Sequence, residues 1–268
     1  MFASKQEKWS SERHHFDRIA SQRRETPEKI EEATLNVYRR PGSLFSKQWG
    51  LKQLGSLEGK KVLEIGCGEG ENCALLALLG AEVTGIDISP KSIQNAELRC
   101  KINGVSDRVD FICSPIETSK VGEKYDIITI TAFLHHILDD LNFCMDRVTQ
   151  LLKPEGMLLI EEPTCPLPFV RRIRGLIPIA PDAATPDERP LNRSEIELVK
   201  SYFSKVTVKE FGLTSRLSRF ILRGDYLEHT AKWKSFLVHS LAKLDGILLK
   251  TRLFRDLASV QVLHGTVN

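Results

Sequence analysis

The 268-residue sequence has no CxxC pair and no cluster of cysteine and histidine at metal-ligand spacing. Its six cysteines, Cys67, Cys73, Cys100, Cys113, Cys144 and Cys165, are scattered. A disulfide framework and a cysteine-based metal fold are thereby excluded. The thiols read as small core residues of a protein kept in a reducing cytoplasm, and no metal is expected. No apolar run approaches the roughly 18 residues of a membrane span, and the opening MFASKQEKWSSERHH carries no apolar secretory stretch. The net charge is only +3, too small to argue for nucleic acid. Internal repeats and low-complexity tracts are also missing. What remains is an ordinary globular composition, 41% apolar and 27% charged, on a chain long enough to bury a full core.

Within it, residues 60–163 alternate strand and helix signals, the rhythm of a parallel sheet covered on both faces. The spacing predicts strands over 62–65, 82–86, 109–113, 125–131 and 157–161. Helices are predicted over 71–79, stopped by Gly80, over 90–102, capped by Ser89 with Pro90 at its first position, and over roughly 139–152 before a KPEG turn. Upstream, Thr26 and Pro27 are expected to start a helix in TPEKIEEATLNVYRR. Phe16, Leu35, Tyr38 and Trp49 give the stretch 1–58 enough apolar surface to dock as a cap. Downstream come a Pro/Arg-rich segment (163–190), a helix capped by Asn192 or Ser194, a strand over 205–211, a helical stretch over 213–254 and a last strand near 257–263. Leu237, Leu241, Leu244 and Leu248 form a stripe that reads as core-facing.

The chemistry concentrates in VLEIGCGEG (62–70) and VTGIDISP (83–90). Gly66, Gly68 and Gly70 follow a buried strand at alternate positions, where glycine permits positive φ and close approach of a ligand. Asp87 closes the next strand, where a carboxylate can accept from a ribose. The GxGxG spacing departs from the GxGxxG of a dinucleotide site. Glu64 and Glu69 are poor neighbours for a pyrophosphate and good ones for a cation.

On these residues the chain resembles the class I S-adenosylmethionine-dependent methyltransferases, in particular the small-molecule and quinone-type branch. The resemblance implies a doubly wound, Rossmann-like seven-stranded α/β sheet, mostly parallel with an antiparallel last strand. It implies S-adenosylmethionine as cofactor and S-adenosylhomocysteine as product. Glu64 would serve the methionine amino group, Gly66, Cys67, Gly68 and Gly70 would form the loop, Asp87 would take the ribose hydroxyls and Ile88 would lie against adenine. The adenine-binding acid usual after the third strand is replaced by Pro115, so Ser114, Ile116 and Glu117 are the candidates there. After the fourth strand TAFLHHILD (131–139) resembles the motif beneath the transferred methyl. It offers Thr131 to the cofactor and His135 and His136 as candidate bases, and Glu162 at the end of the fifth strand is a candidate base or orienter.

The implied reaction is methyl transfer to a carbon, oxygen or nitrogen of a small organic acceptor. No NPPY-type tetrad follows the fourth strand, which argues against nucleic acid as the acceptor. A scaffold that binds the cofactor without transferring methyl groups, regulatory or pericyclase-like, is the alternative, ahead of a nicotinamide oxidoreductase. The expected organisation is an N-terminal cap (1–58), a core (59–212), a helical lid insertion (213–254) and a last core strand (255–268). The expected assembly is a monomer or homodimer, with peripheral membrane contact not expected.

Overall fold

The computed structural model describes residues 5–22, 27–175, 188–222 and 230–267. Three helices come first, α1 (Lys5–Gln22), α2 (Glu32–Arg39) and α3 (Ser46–Leu54). The alternating core follows as β1 (Lys61–Ile65), α4 (Glu71–Leu78), β2 (Glu82–Asp87), α5 (Pro90–Ile102), β3 (Val109–Cys113), β4 (Tyr125–Thr131), α6 (Leu141–Leu151) and β5 (Leu152–Pro163). Beyond it lie α7 (Pro168–Gly175), α8 (Arg193–Ser201), β6 (Phe203–Phe211), α9 (Ser218–Leu222), α10 (Lys232–Leu248), α11 (Arg252–Arg255) and β7 (Val260–Val267).

One sheet of seven strands runs in the order β3-β2-β1-β4-β5-β7-β6. Strands β1 to β5 pair in parallel, and β7 runs antiparallel between β5 and β6. The expected sheet is the one found. Alternation along β1 and β4 builds the two layers: Leu63, Ile65, Ile128 and Ile130 pack on one face with α6 and α8. Val62 and Ile127 pack on the other with α3, α4 and α5. The order reverses at β1, between β2 and β4, so the crevice beyond the carboxyl ends of these strands is where an open α/β sheet places a ligand.

Local capping chemistry sets several boundaries. Ser89 Oγ accepts from Ser92 N with Pro90 in the first turn of α5, and Asn192 makes a full capping box with Glu195. Other expectations need correction. The helix foreseen at Thr26–Pro27 starts only at Glu32, after a stretch from Pro27 that is not helical and ends in an extended Glu31; Thr26 lies outside the described residues. The last strand is Val260–Val267 rather than 257–263. The KPEG segment belongs to β5, with Glu155 left-handed at φ 62. In α10 the buried residues are Val238, Ala242 and Asp245, whereas Leu237 and Leu244 are 41% and 42% exposed. The leucine stripe therefore does not face the core.

Helix α1 crosses from α5 to the loop after β4. Asp17 Oδ1 accepts from Ser89 Oγ (2.6 Å) and from Lys91 N (3.1 Å) at the start of α5. Lys5 pairs with Asp140 at 2.5 Å, and the Phe16 ring meets His136 edge-on, 5.2 Å between centroids.

Candidate active site

The β1–α4 loop is shaped by backbone. Gly66 N and Cys67 N both donate to Ile86 O at 2.9 Å, tying the loop to β2. Gly66, Gly68 and Gly70 all have positive φ, 71°, 50° and 74°. Two of them are closed to anything larger: a Cβ on Gly66 would sit 2.7 Å from Phe133 Cγ, and one on Gly70 2.7 Å from Ala96 Cβ. At Gly68 a Cβ would meet nothing within 4 Å, so this is the point at which the loop is open to a ligand.

Gly68 N donates to Asp87 Oδ2 (2.8 Å) and Ser89 N to Asp87 Oδ1 (2.9 Å). A carboxylate has about four acceptor positions, so Asp87 retains capacity for a hydroxyl. Burial raises its affinity for a proton, against the pull of the Ser89 and Gly68 donors. Burial does the same to Glu64, opposed by Thr129, Asn72 and Lys47. Glu64 is 1% exposed; it accepts from Asn72 Nδ2 at 3.1 Å and from Thr129 Oγ1. It faces a cavity of about 30 Å³ shared with Lys47, Thr131 and Glu161, room for a water or two. Asn72 Nδ2 also reaches Thr131 Oγ1 at 3.2 Å. Two acids held up by burial are stabilised by any cation brought to this loop.

Other expected cofactor contacts divide. The Cys67 side chain packs beneath the loop, where a Cβ on Gly85 would approach its Sγ to 3.0 Å, leaving Cys67 its backbone for a ligand. The Ile116 side chain is 2% exposed and belongs to the core. Ser114 N donates to Asp87 O, which holds the end of β3 against β2. Ile88 and Glu117 are half-buried at the same edge. Across from Glu117 on α1, Glu12 is pushed up to about 7 by burial, with the Glu117 charge adding to the effect.

After β4 the chain turns sharply at Ala132, whose φ of 51° is left-handed, a conformation costing roughly 1–2 kcal/mol for a residue with a Cβ. The turn swings Phe133 over Gly66 and aims two backbone donors at Glu162. Phe133 N and Leu134 N both donate to Glu162 Oε1 at 2.6 Å, and His135 Nδ1 meets Oε2 at 2.8 Å. His135 Nε2 lies 3.0 Å from Glu188 Oε1. Burial opposes charge on His135, but the hydrogen bonds to Glu162 and Glu188 outweigh it and raise the pKa to about 9. Burial takes His136 down to about 4, and the neighbouring His135 charge adds to it. At neutral pH the pair is one imidazolium clamped between carboxylates and one neutral imidazole, whose Nδ1 has no hydrogen-bond partner among the described residues.

Glu161 and Glu162 point to opposite faces of β5 as alternation requires, Glu161 into the Glu64 cavity and Glu162 to the histidines. Among the described residues, one group could hold a metal ion: donor atoms of His135, His136 and Glu188 all lie within 4.8 Å of one another. A proton on His135 supplies the positive charge this group needs. Sequence reasoning missed Asn72, Ala132, Phe133 and Glu188. Asn72 was findable from its place two residues into the helix after Gly70; Glu188 reaches the site only through the tertiary fold.

A family profile described as a methyltransferase domain matches residues 56–201, more than half of the chain. A ubiquinone biosynthesis O-methyltransferase of Nitrobacter winogradskyi is 36% identical over 107 residues, 40% of this chain and 40% of that protein. The chain thus spans well under two thirds of that relative. Among solved structures, geranyl diphosphate C-methyltransferase of Streptomyces coelicolor A3(2) superposes with a TM-score of 0.59 at 11% identity, over 100% of both chains. The [4+2]-cyclase SpnF superposes with a TM-score of 0.53 at 15% identity, over 92% of this chain and 86% of that one. The fold is common to both, so activity has to be argued from the site.

Proposed function

The chain belongs to the methyltransferase-domain family, and on that premise we propose that it moves a methyl group from S-adenosylmethionine to a small organic acceptor. The observation that carries the reading is the conjunction at the β1–β2 edge: Gly68 open at φ 50°, beside Asp87 with acceptor capacity left. When bound, the cofactor supplies an electrophilic methyl on a cationic sulfur. Asp87 would hold the ribose hydroxyls, and the loop backbone around Gly68 would lie along the ligand. Glu64 would attract its ammonium through the small Asn72–Thr131 cavity. Ser114, Ile88 and Glu117 would border the adenine. Helix α1 and the described parts of the segment after β6, 213–222 and 230–254, would cover the crevice and exclude water.

Catalysis of methyl transfer needs alignment and, for a hydroxyl acceptor, removal of its proton. His135 already carries a proton at neutral pH and is held by Glu162, so it positions rather than accepts. His136 is neutral, with a ring nitrogen that has no hydrogen-bond partner among the described residues, and is the group that would take the proton as the new bond forms. The relatives named as O-methyltransferases favour an oxygen acceptor.

Titration calorimetry with S-adenosylmethionine, S-adenosylhomocysteine and NAD tests the cofactor, with binding of the first two and no binding of NAD expected. Turnover over catechol, amine and carbon-acid acceptors, read as S-adenosylhomocysteine formed, tests the reaction. Cofactor binding without product from any acceptor would favour the non-transferring scaffold.

The glycines make a separate prediction. Gly68→Val is expected to abolish cofactor binding while costing only about 1–2 kcal/mol of stability, the strain of a left-handed residue in open space. Gly66→Ala is expected to lower stability more, because the Phe133 ring must move. Thermal melts and calorimetry on both variants check the order; a Gly68→Val protein that binds the cofactor with unchanged affinity would contradict the placement.

A further inference from the structure

Helix α10 carries apolar residues on two opposite faces, and only one is used by the fold. The inner face is fixed by Val238, Ala242 and Leu249, all buried, and above all by Asp245. This carboxylate, 4% exposed, accepts from the backbone N–H groups of Leu213, Thr214 and Ser215 and from the hydroxyls of Thr214 and Ser215. Turning the helix would strip five donors from a buried charge, so the rotation is pinned. The other face then points outward whatever its composition.

That outward face holds Trp233 (62% exposed), Phe236 (71%), Leu237 (41%), Leu244 (42%) and Ile247 (64%). At 3.6 residues per turn these five fall within about 100° of one another. Lys232, Lys243 and Lys250, all exposed, line up along one border of the stripe. Asp245 is the one acidic residue in 232–250, and it is turned inward. On the adjoining α9, which packs against α10, Phe220 is 58% exposed.

We propose that this face docks the protein on the surface of an anionic lipid bilayer, with α10 lying in the plane of the interface. An aromatic and aliphatic stripe flanked by lysines and without exposed acid is the composition of an interfacial helix. The charge complementarity selects this occupant over a second copy of the chain, whose matching face would bring more lysines and no exposed acid of α10 to pair with them. No helix among the described residues is long and apolar enough to cross a membrane, so the contact is peripheral. The helix proposed as part of the lid is then also the part that touches lipid, where an apolar acceptor would be dissolved.

Vesicle co-sedimentation with the full chain tests this without reference to methyl transfer. Binding is expected to phosphatidylcholine vesicles containing about one third phosphatidylglycerol, and to weaken at least tenfold on pure phosphatidylcholine or at high salt. Phe236→Ser with Trp233→Ser is expected to lower binding about tenfold or more, and Lys243→Glu with Lys232→Glu to remove the preference for anionic lipid. These side chains are exposed, so circular dichroism and melting temperature should be unchanged, and cofactor affinity as well. Absence of binding to either vesicle would overturn the proposal, as would binding indifferent to the four substitutions. A concentration-dependent dimer abolished by Phe236→Ser would assign the face to a second copy instead. Loss of methyl transfer with vesicle binding intact would leave this proposal standing and remove the previous one.

Discussion

Replacing Asp87 by alanine is expected to weaken S-adenosylmethionine binding by about 10²-fold or more. Each hydrogen bond from a ribose hydroxyl to a carboxylate contributes roughly 1.5–3 kcal/mol, and two of them amount to two or more decades in affinity. The same carboxylate also receives Gly68 N and Ser89 N, so the variant loses loop order along with the ligand contact. Ser89→Ala separates the two effects. It removes the α5 cap and should lower stability by about 1 kcal/mol, while leaving Asp87 in place and the dissociation constant within a few-fold. Calorimetry on the three proteins decides. An Asp87→Ala protein that binds within twofold of the parent would remove Asp87 from the site.

Glu162→Gln is expected to be the most destabilising single change near the site, on the order of 3–5 kcal/mol, because it breaks a buried charged pair and unsettles two backbone donors. It should also change how stability depends on pH. In the folded protein His135 is raised from 6.5 to about 9. A raised histidine stabilises the fold fully below its unfolded pKa, and that contribution disappears as pH rises through about 9. The parent should therefore lose melting temperature between pH 7 and 9 through this group, a span on the order of 3 kcal/mol. In Glu162→Gln one of the two carboxylates that hold the proton is neutral, so the decline should be shallower and shifted to lower pH. Melting curves across that range, with histidine NMR titration as the direct readout, test it. A His135 titrating near 6.5 in the parent would show that the clamp does not hold a proton.

The parts of the site that were legible in the sequence are those whose physics is local. The glycines of 66–70 and the acid at 87 sit at strand ends, where backbone conformation and position on the sheet follow from neighbours a few residues away. The same holds for Ser89 and Asn192, which cap the helices they precede. The state of the histidines is not of this kind. His135 owes its charge to Glu162, 27 positions away, and to Glu188, 53 positions away, and adjacency in sequence gave no reason to assign opposite protonation to His135 and His136. Helix α10 fails differently. A helix with two apolar stripes has no single periodicity, and the fold chose the face carrying Asp245 because the loop after β6 presents five donors to it. The last strand was placed too early because its second half, His264-Gly265-Thr266, lacks apolar alternation. There the backbone pairs on both sides, and a Cβ at Gly265 would run into the Lys205 backbone, so close strand approach, not hydrophobicity, selects the residues.

The position of β7 also imposes a timetable on synthesis. The sheet order places Val260–Val267 between β5 and β6, so β6 has no partner in the sheet until the last strand has been made. A nascent chain that has left the ribosome as far as residue 250 holds a five-stranded parallel sheet with β5 as a bare edge and β6 with nothing to pair with. Exposed edges of this kind recruit foreign strands. The eight-residue β7 covers the open side of β5 and gives β6 its partner in one step, so the making of this strand, rather than the assembly of the ligand loop, is what completes the sheet.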